Sequence, residues 1–167
     1  MDLKEGIILP PIRLTPEQED ICERLFLFSQ RTNHKQDLSV LFKGAVYAFR
    51  EECRCNPDWI AQSAHSLREI LYPFYSGKNS RKDAFTAYGS VTIEDKLLRQ
   101  ALNRVYGKIT DIAHHIQPIS IEDYENLIED FQRVLSRALD RQVDVHNQID
   151  NFFSKNKPQR PETTKYD

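Results

Sequence analysis

Glycine is scarce in this sequence, with 5 residues in 167. P-loops, dinucleotide-binding folds and turn-rich β-sandwiches use glycine where the backbone turns tightly, so this scarcity argues against those classes. The sequence also lacks any apolar run close to the roughly 18 residues that cross a bilayer. The first ten residues contain two acids and no basic segment typical of a secretory signal. We therefore expect a cytoplasmic protein with no membrane contact.

Cysteine is also sparse, and the three cysteines form no recognisable framework. Cys22 stands alone, and Cys53 and Cys55 are separated by one residue, which is not the C-x-x-C spacing of zinc knuckles and redox sites. An odd number of cysteines without such a framework is typical of a reducing compartment. We therefore expect reduced cysteines and no cofactor.

Neither sign of charge dominates, because 23 Lys and Arg face 25 Asp and Glu, for a formal charge of -2. This balance argues against a basic nucleic-acid coat and against a strongly acidic disordered chain. The charges are nevertheless unevenly distributed. Residues 122–130 contain five acids and no base, whereas residues 131–160 contain six Lys or Arg against three Asp. The local positive excess favours RNA contact, and a solvated face with a flexible tail explains it equally well.

The domain organisation follows from the ends of the chain. Pro10 and Pro11 predict an extended leader over 1–14, because proline cannot continue a helix. Residues 155–167 contain two prolines and no aliphatic side chain, which predicts a disordered tail. The interval between them, 15–154, shows no repeat and no shift of composition. It is predicted to be a single helical domain, with a polar loop over 76–91.

Helix signals recur through that domain. Capping residues followed by apolar residues at three-and-four spacing predict helices after Thr15, over about 36–53, and after Asp58, Thr92 and Ser120. The predicted buried line of the fourth helix is Leu98, Leu102, Val105, Ile109, Ile112 and Ile116. We therefore expect an all-α, up-and-down bundle of about five helices with a long C-terminal helix.

The fifth helix carries a near-heptad apolar pattern over about 30 residues. Its positions are Tyr124, Ile128, Phe131, Leu135, Ala138, Gln142, Val145, Ile149 and Phe152. A pattern of this length predicts packing against the other helices early in the helix and contact with another subunit later.

Arg141 and His146 lie five residues apart on this helix and carry side chains suited to RNA cleavage without a metal. Histidine can take the proton of the 2′-hydroxyl or protonate the leaving 5′-oxygen. The guanidinium can hold the scissile phosphate, and Arg137 lies one turn earlier. On an ideal helix the two residues point about 140° apart, so a bend or a second copy is needed to complete such a site. The alternative is that Arg141 pairs with Asp140 or Asp144 on a solvated face.

A five-helix bundle with an Arg-x4-His pair on a late helix resembles the HEPN superfamily (higher eukaryotes and prokaryotes nucleotide-binding). The resemblance is confined to Arg141, His146 and the helical architecture. It implies a homodimeric, metal-independent endoribonuclease with Arg141 and His146 as catalytic residues, of the kind found in prokaryotic toxin–antitoxin and antiviral defence systems. Many HEPN members are inactive binding modules, so the resemblance is also compatible with a protein that only binds.

Two further hypotheses remain open. The first is a metal-binding bundle that uses His65, His114 or His115, and His146, because histidine–carboxylate pairs on facing helices are the ligands of bundle-core metal sites. The second is a non-catalytic helical module that binds a protein partner in a multiprotein complex through its long fifth helix.

Overall fold

The computed structural model of the protein describes residues 11, 13–74, 92–116 and 118–155. Within these residues the chain forms five α-helices and no strand, so the predicted all-α fold is confirmed. The helices are α1 (Pro16–Arg31), α2 (Leu38–Ala48), α3 (Trp59–Leu71), α4 (Ile93–Ala113) and α5 (Ile121–Lys155). Short 3-10 turns, Glu51–Cys53 and Tyr72–Phe74, follow α2 and α3. The predicted loop over 76–91, residues 156–167 of the predicted tail and most of the leader lie outside the described residues.

Two helices begin with reciprocal capping boxes. Before α1, the Thr15 N–H donates to Oε1 of Gln18 and the Gln18 N–H donates to Oγ1 of Thr15. Before α4, the Thr92 N–H donates to Oδ2 of Asp95 and the Asp95 N–H donates to Oγ1 of Thr92. Each box satisfies N–H groups that have no partner within the helix. The local sequence therefore fixes where α1 and α4 start.

The helices form a ring in which each packs against the next in the chain and α5 returns to α1. Four chain reversals connect the five helices, so α1 and α5 run in the same direction and α4 runs against α5. The last turn of α1, at Arg31, thus lies beside Gln142 and Val143. The first turn of α4, at Thr92 and Glu94, lies beside Arg141 and Asp144.

The last part of α5 extends past both neighbouring helices. Beyond Asp144 the helix continues to Lys155, which adds about 16 Å at 1.5 Å per residue. Of the α5 side chains that the structure describes, the last buried one is Gln142. Although α5 has 35 residues, neither it nor any other described helix is both long and apolar enough to cross a membrane.

The core is aromatic where α5 meets α2 and α3. Phe131 of α5 is fully buried and stacks on Phe42 of α2 with ring centroids 6.4 Å apart. About two turns earlier, Tyr124 packs edge-on against Trp59 and at a tilt against Phe49. These aromatic contacts pack the N-terminal half of α5 against the rest of the bundle.

The prediction of one core residue is wrong. Ile116 was expected to extend the buried line of the fourth helix, but its side chain is 64% exposed. The reason is that α4 ends at Ala113, and His115 has a φ of 55°, in the left-handed region. This turn moves the chain out of the helical path before Ile116, so the three-and-four spacing no longer places it on the core face.

Candidate functional site

Arg141 is held by the first turn of α4. Its Nε donates to Oδ1 of Asp95 at 2.8 Å, and its Nη2 donates to Oδ2 of the same carboxylate at 3.1 Å. The Asp95 side chain is 3% exposed and the Arg141 side chain 22% exposed. A bidentate pair of this kind is among the stronger hydrogen-bonded contacts in proteins. The partner of Arg141 is therefore on another helix, whereas the solvated-face alternative expected Asp140 or Asp144.

The Asp95 carboxylate has two tasks, because it also accepts the Thr92 N–H in the capping box. Burial raises the pKa of this carboxyl, but the hydrogen bonds from the Thr92 N–H and from Arg141 lower it by more, so that its pKa lies below the ordinary value. Asp95 is thus held as a carboxylate, and it couples the start of α4 to the middle of α5. The sequence marks Asp95 as a capping residue but carries no local signal for its bond to Arg141, 46 positions away.

The neighbouring residue of α5 makes a second tertiary bridge. Arg24 of α1 donates from Nη1 to Oδ1 of Asp140 at 2.6 Å and from Nη2 to Oγ of Ser136 at 3.0 Å. Arg24 also pairs with Asp20 of its own helix. The consecutive residues Asp140 and Arg141 therefore tie one turn of α5 to α1 on one side and to α4 on the other.

A groove of about 250 Å³ runs beside Arg141 between α4 and α5. Its lining residues are Thr92, Glu94, Asp95, Leu98, Arg137, Asp140, Arg141 and Asp144. Arg137, the residue predicted to assist RNA binding, thus shares a groove with Arg141. The four carboxylates of the lining outnumber its two guanidinium groups, so the local field is less favourable to phosphate than the sequence of α5 alone indicates.

His146 lies on α5, five residues after Arg141, where the structure describes the helix backbone but not this side chain. Five residues correspond to about 140° of rotation on a regular helix. The described geometry therefore places Arg141 against Asp95, while the pairing of Arg141 with His146 stays a prediction.

The three other histidines of the metal hypothesis are distributed over the end of α4 and over α3. His65 is exposed on α3. The carboxylate one turn later on the same helix, Glu69, accepts from Nη2 of Arg68 at 2.7 Å. The imidazole Nε2 of His114 lies 2.9 Å from Nη1 of Arg68 and accepts its N–H. Among the residues that the structure describes, no three His, Cys, Asp or Glu side chains are grouped closely enough to hold a metal ion. These contacts give the metal hypothesis no geometric support in the described part of the chain.

A second concave surface, which the sequence reasoning missed, lies between α1 and α5. We call it the α1–α5 cleft; it is a small cavity of about 60 Å³ lined by Arg24, Leu27, Phe28, Arg31, Leu139, Gln142 and Val143. Leu27 and Val143 face solvent across it, with exposed fractions of 42% and 39%. Val143 falls outside the near-heptad pattern of α5 and Leu27 lies on α1, so only their positions in the bundle reveal that they share a surface.

Comparisons with protein-family models, with curated proteins and with solved structures found no match to this chain.

Proposed function

We propose that this protein is a non-catalytic helical interaction module, whose α1–α5 cleft and projecting end of α5 bind a helical partner. The observation that carries the proposal is the exposure of Leu27 and Val143 on opposite sides of an apolar cleft. Exposed apolar side chains that line one concave surface are typical of helix-in-groove recognition.

The state of Arg141 supports a structural role over a catalytic one. Both oxygens of a nearly fully buried carboxylate accept from its guanidinium. Two of the five N–H donors of Arg141 are committed to Asp95, and its positive charge is paired with that carboxylate, which lessens its attraction for a phosphate. The groove beside it also contains Glu94, Asp140 and Asp144, which repel a phosphate.

The experiment compares two variants that carry the same change. Leu27→Glu places a charge in the cleft, whereas Leu97→Glu places it on the exposed face of α4, where Leu97 is also solvent-exposed. Proteins retained on the immobilised wild-type chain are identified by mass spectrometry, purified and titrated against all three chains. We expect at least about tenfold weaker binding by Leu27→Glu, which corresponds to about 1.4 kcal/mol, and unchanged binding by Leu97→Glu.

Equal losses in the two variants, or equal binding by all three chains, would contradict the proposal. Circular dichroism of each variant is the control for folding. Because both leucines are partly exposed in the free protein, neither change creates a buried charge.

Metal-independent ribonuclease activity is the second candidate, and one observation favours it. Arg137 and Arg141 lie one turn apart and line the same groove on the helix that carries His146. In this proposal His146 moves the proton at the 2′-oxygen or the 5′-oxygen of RNA, and the two arginines hold the phosphate.

The ribonuclease candidate predicts cleavage of single-stranded RNA in the presence of EDTA. His146→Ala would abolish that cleavage and leave the circular-dichroism spectrum unchanged, whereas His65→Ala, at an exposed position of α3, would leave cleavage intact. Arg137→Ala is the variant for the phosphate contact, because Arg141→Ala also removes the bond to Asp95. Undetectable cleavage by the wild type, or full activity of His146→Ala, rejects this candidate.

A further inference from the structure

The outward face of α2 is apolar. Of the residues in this helix, Leu38–Ala48, Lys43 is the only charged one. The Val40 side chain is 61% exposed. One turn later, at Gly44, no described atom outside the helix's own backbone and the chain neighbours lies within 4 Å of the place where a Cβ would stand. Helices that are apolar on all sides are normally buried on all sides, so this face is suited to a covering segment.

A groove between α1 and α2 borders this face, and we call it the α1–α2 groove. It encloses about 1000 Å³, and its apolar lining includes Cys22 and Phe26 of α1 and Val40 of α2. Phe26 is 45% exposed, whereas Cys22 is buried. Charged side chains, among them Glu23 and Lys43, also line the groove. Exposed apolar side chains beside charged ones in one concave surface are typical of a binding site for an apolar segment.

The chain itself leads into the α1–α2 groove. Arg13 and Leu14, which directly precede the N-cap of α1, also line it, and Leu14 packs against the core. The six residues before Arg13, at positions 7–12, are Ile-Ile-Leu-Pro-Pro-Ile, and none of them is charged. Apart from the exposed Pro11, they lie outside the described residues. The sequence thus has an apolar stretch immediately before the point where the chain meets the groove.

The reach of this stretch matches the length of the groove. From Glu19 to Phe26, both of which line the groove, α1 rises about 10 Å. The four residues from Arg13 back to Leu9 would span about 12 Å in the polyproline conformation, which the intervening prolines favour. Leu9 is therefore close enough along the chain to contact Phe26 and Val40.

We propose that the α1–α2 groove binds an extended apolar peptide and that residues 7–9 of this chain are its occupant. The occupant covers Phe26 and Val40, the exposed apolar side chains of the groove. The two prolines that follow it restrict the backbone before binding, which lowers the entropy lost on binding. Phe26 lines this groove and Leu27 lines the α1–α5 cleft, and neighbours in a helix point about 100° apart. The two sites therefore lie on different faces of α1, and neither depends on the other.

Disulfide formation between the segment and α2 tests the contact in the full chain. Leu9→Cys is combined with Val40→Cys in a chain that also carries Cys22→Ala, Cys53→Ser and Cys55→Ser. Leu3→Cys with Val40→Cys in the same chain is the matched control, because position 3 lies about 19 Å further along an extended segment, beyond the end of the groove. Equilibration in a glutathione buffer measures the effective concentration of each pair.

The ratio of the two effective concentrations separates a bound segment from an unbound one. For an unbound segment attached at Leu14, position 9 exceeds position 3 only about threefold, because effective concentration falls as the −3/2 power of tether length. Occupancy of the groove should raise the ratio to at least about thirtyfold. A ratio of about three or less overturns the assignment of residues 7–9 as the occupant.

A synthetic peptide of residues 5–12 tests the groove itself. It is titrated, with NMR as the readout, into the wild-type chain and into the full chain with Leu9→Asp, which loses the apolar contact of its own segment. We expect a Kd of about 0.1–1 mM for Leu9→Asp and at least about tenfold weaker binding to the wild type, whose own segment competes. Leu3→Asp makes the same change outside residues 7–9 and should behave like the wild type.

A change on α2 identifies the groove as the site. Val40→Asp added to Leu9→Asp should abolish peptide binding, whereas Leu97→Asp, at an exposed position of α4, should not. Circular dichroism checks that each variant is folded. Absence of binding to the Leu9→Asp chain, whether because the groove has no affinity or because another part of the chain fills it, rejects the proposal. Equal binding by the wild type and Leu9→Asp would show that the groove is open in the intact chain and rejects the occupant.

Discussion

Asp95→Ala is expected to lower the free energy of unfolding by about 2–4 kcal/mol, measured by urea denaturation. The change removes the acceptor of two charged hydrogen bonds from Arg141 and leaves a partly buried guanidinium without its partner. It also removes the capping-box bond from the Thr92 N–H, which contributes to that total. The expected loss is large for a single polar residue because one buried carboxylate serves both contacts.

A double-mutant cycle isolates the pair itself. Arg141→Met keeps the aliphatic stem of the side chain, and the cycle with Asp95→Ala should give a coupling free energy of about 1.5–3 kcal/mol. Asp140→Ala is the matched control, since Asp140 pairs with Arg24 at an exposed position; it should cost at most about 1 kcal/mol. A coupling energy near zero would mean that the bond between α4 and α5 contributes nothing to stability.

The bond between Asp95 and Arg141 makes the stability of the fold depend on pH. The pKa of the Asp95 carboxyl is lowered in the folded protein. Its contribution to stability is therefore fully present above the unfolded value of about 3.9 and is lost as the pH falls through the lower folded value. The stability difference between the wild type and Asp95→Asn should be largest near neutral pH and shrink on acidification below about pH 4. A difference that grows on acidification would contradict the assigned direction.

Phe131→Ala is expected to cost about 3–5 kcal/mol, because it removes a fully buried ring and leaves a cavity. Phe131 stacks on Phe42, so the change also loosens the contact between α5 and α2. For a domain of this size that loss is a large part of the total stability. The measurement is again urea denaturation, with the helical circular-dichroism signal as the probe.

Glu129→Ala, two residues earlier and exposed, is the control for Phe131→Ala and should change stability by less than about 0.5 kcal/mol. A similarly small cost for Phe131→Ala would show that α5 is not fixed by its aromatic core contacts.

The helices were largely predictable because their signals are local. Thr15 and Thr92 start α1 and α4 through capping boxes that span three residues, and the apolar spacing of α5 identifies the side chains that the bundle buries. The C-terminal end of α4 was less predictable. The left-handed backbone at His115 takes the chain out of the helical path before Ile116, and the residue types at these two positions do not predict that turn.

The surfaces were far less predictable than the helices. Arg141 was singled out as a phosphate ligand from its spacing to His146, but its observed partner is Asp95. The bond joins residues 46 positions apart, and no periodicity within either helix encodes it. The α1–α5 cleft is likewise made by Leu27 and Val143, which lie far apart in the chain and outside the apolar pattern of α5.

The sequence by itself determined that this protein is a helical bundle with a long last helix, because capping and apolar periodicity act over a few residues. Only the tertiary structure decided what the charged and exposed residues do. An arginine on a helix surface can meet solvent, a ligand or a buried carboxylate, and the choice depends on which helix packs beside it. Here that helix is α4, and its packing brings Asp95 to Arg141 and makes the arginine part of the bundle's framework.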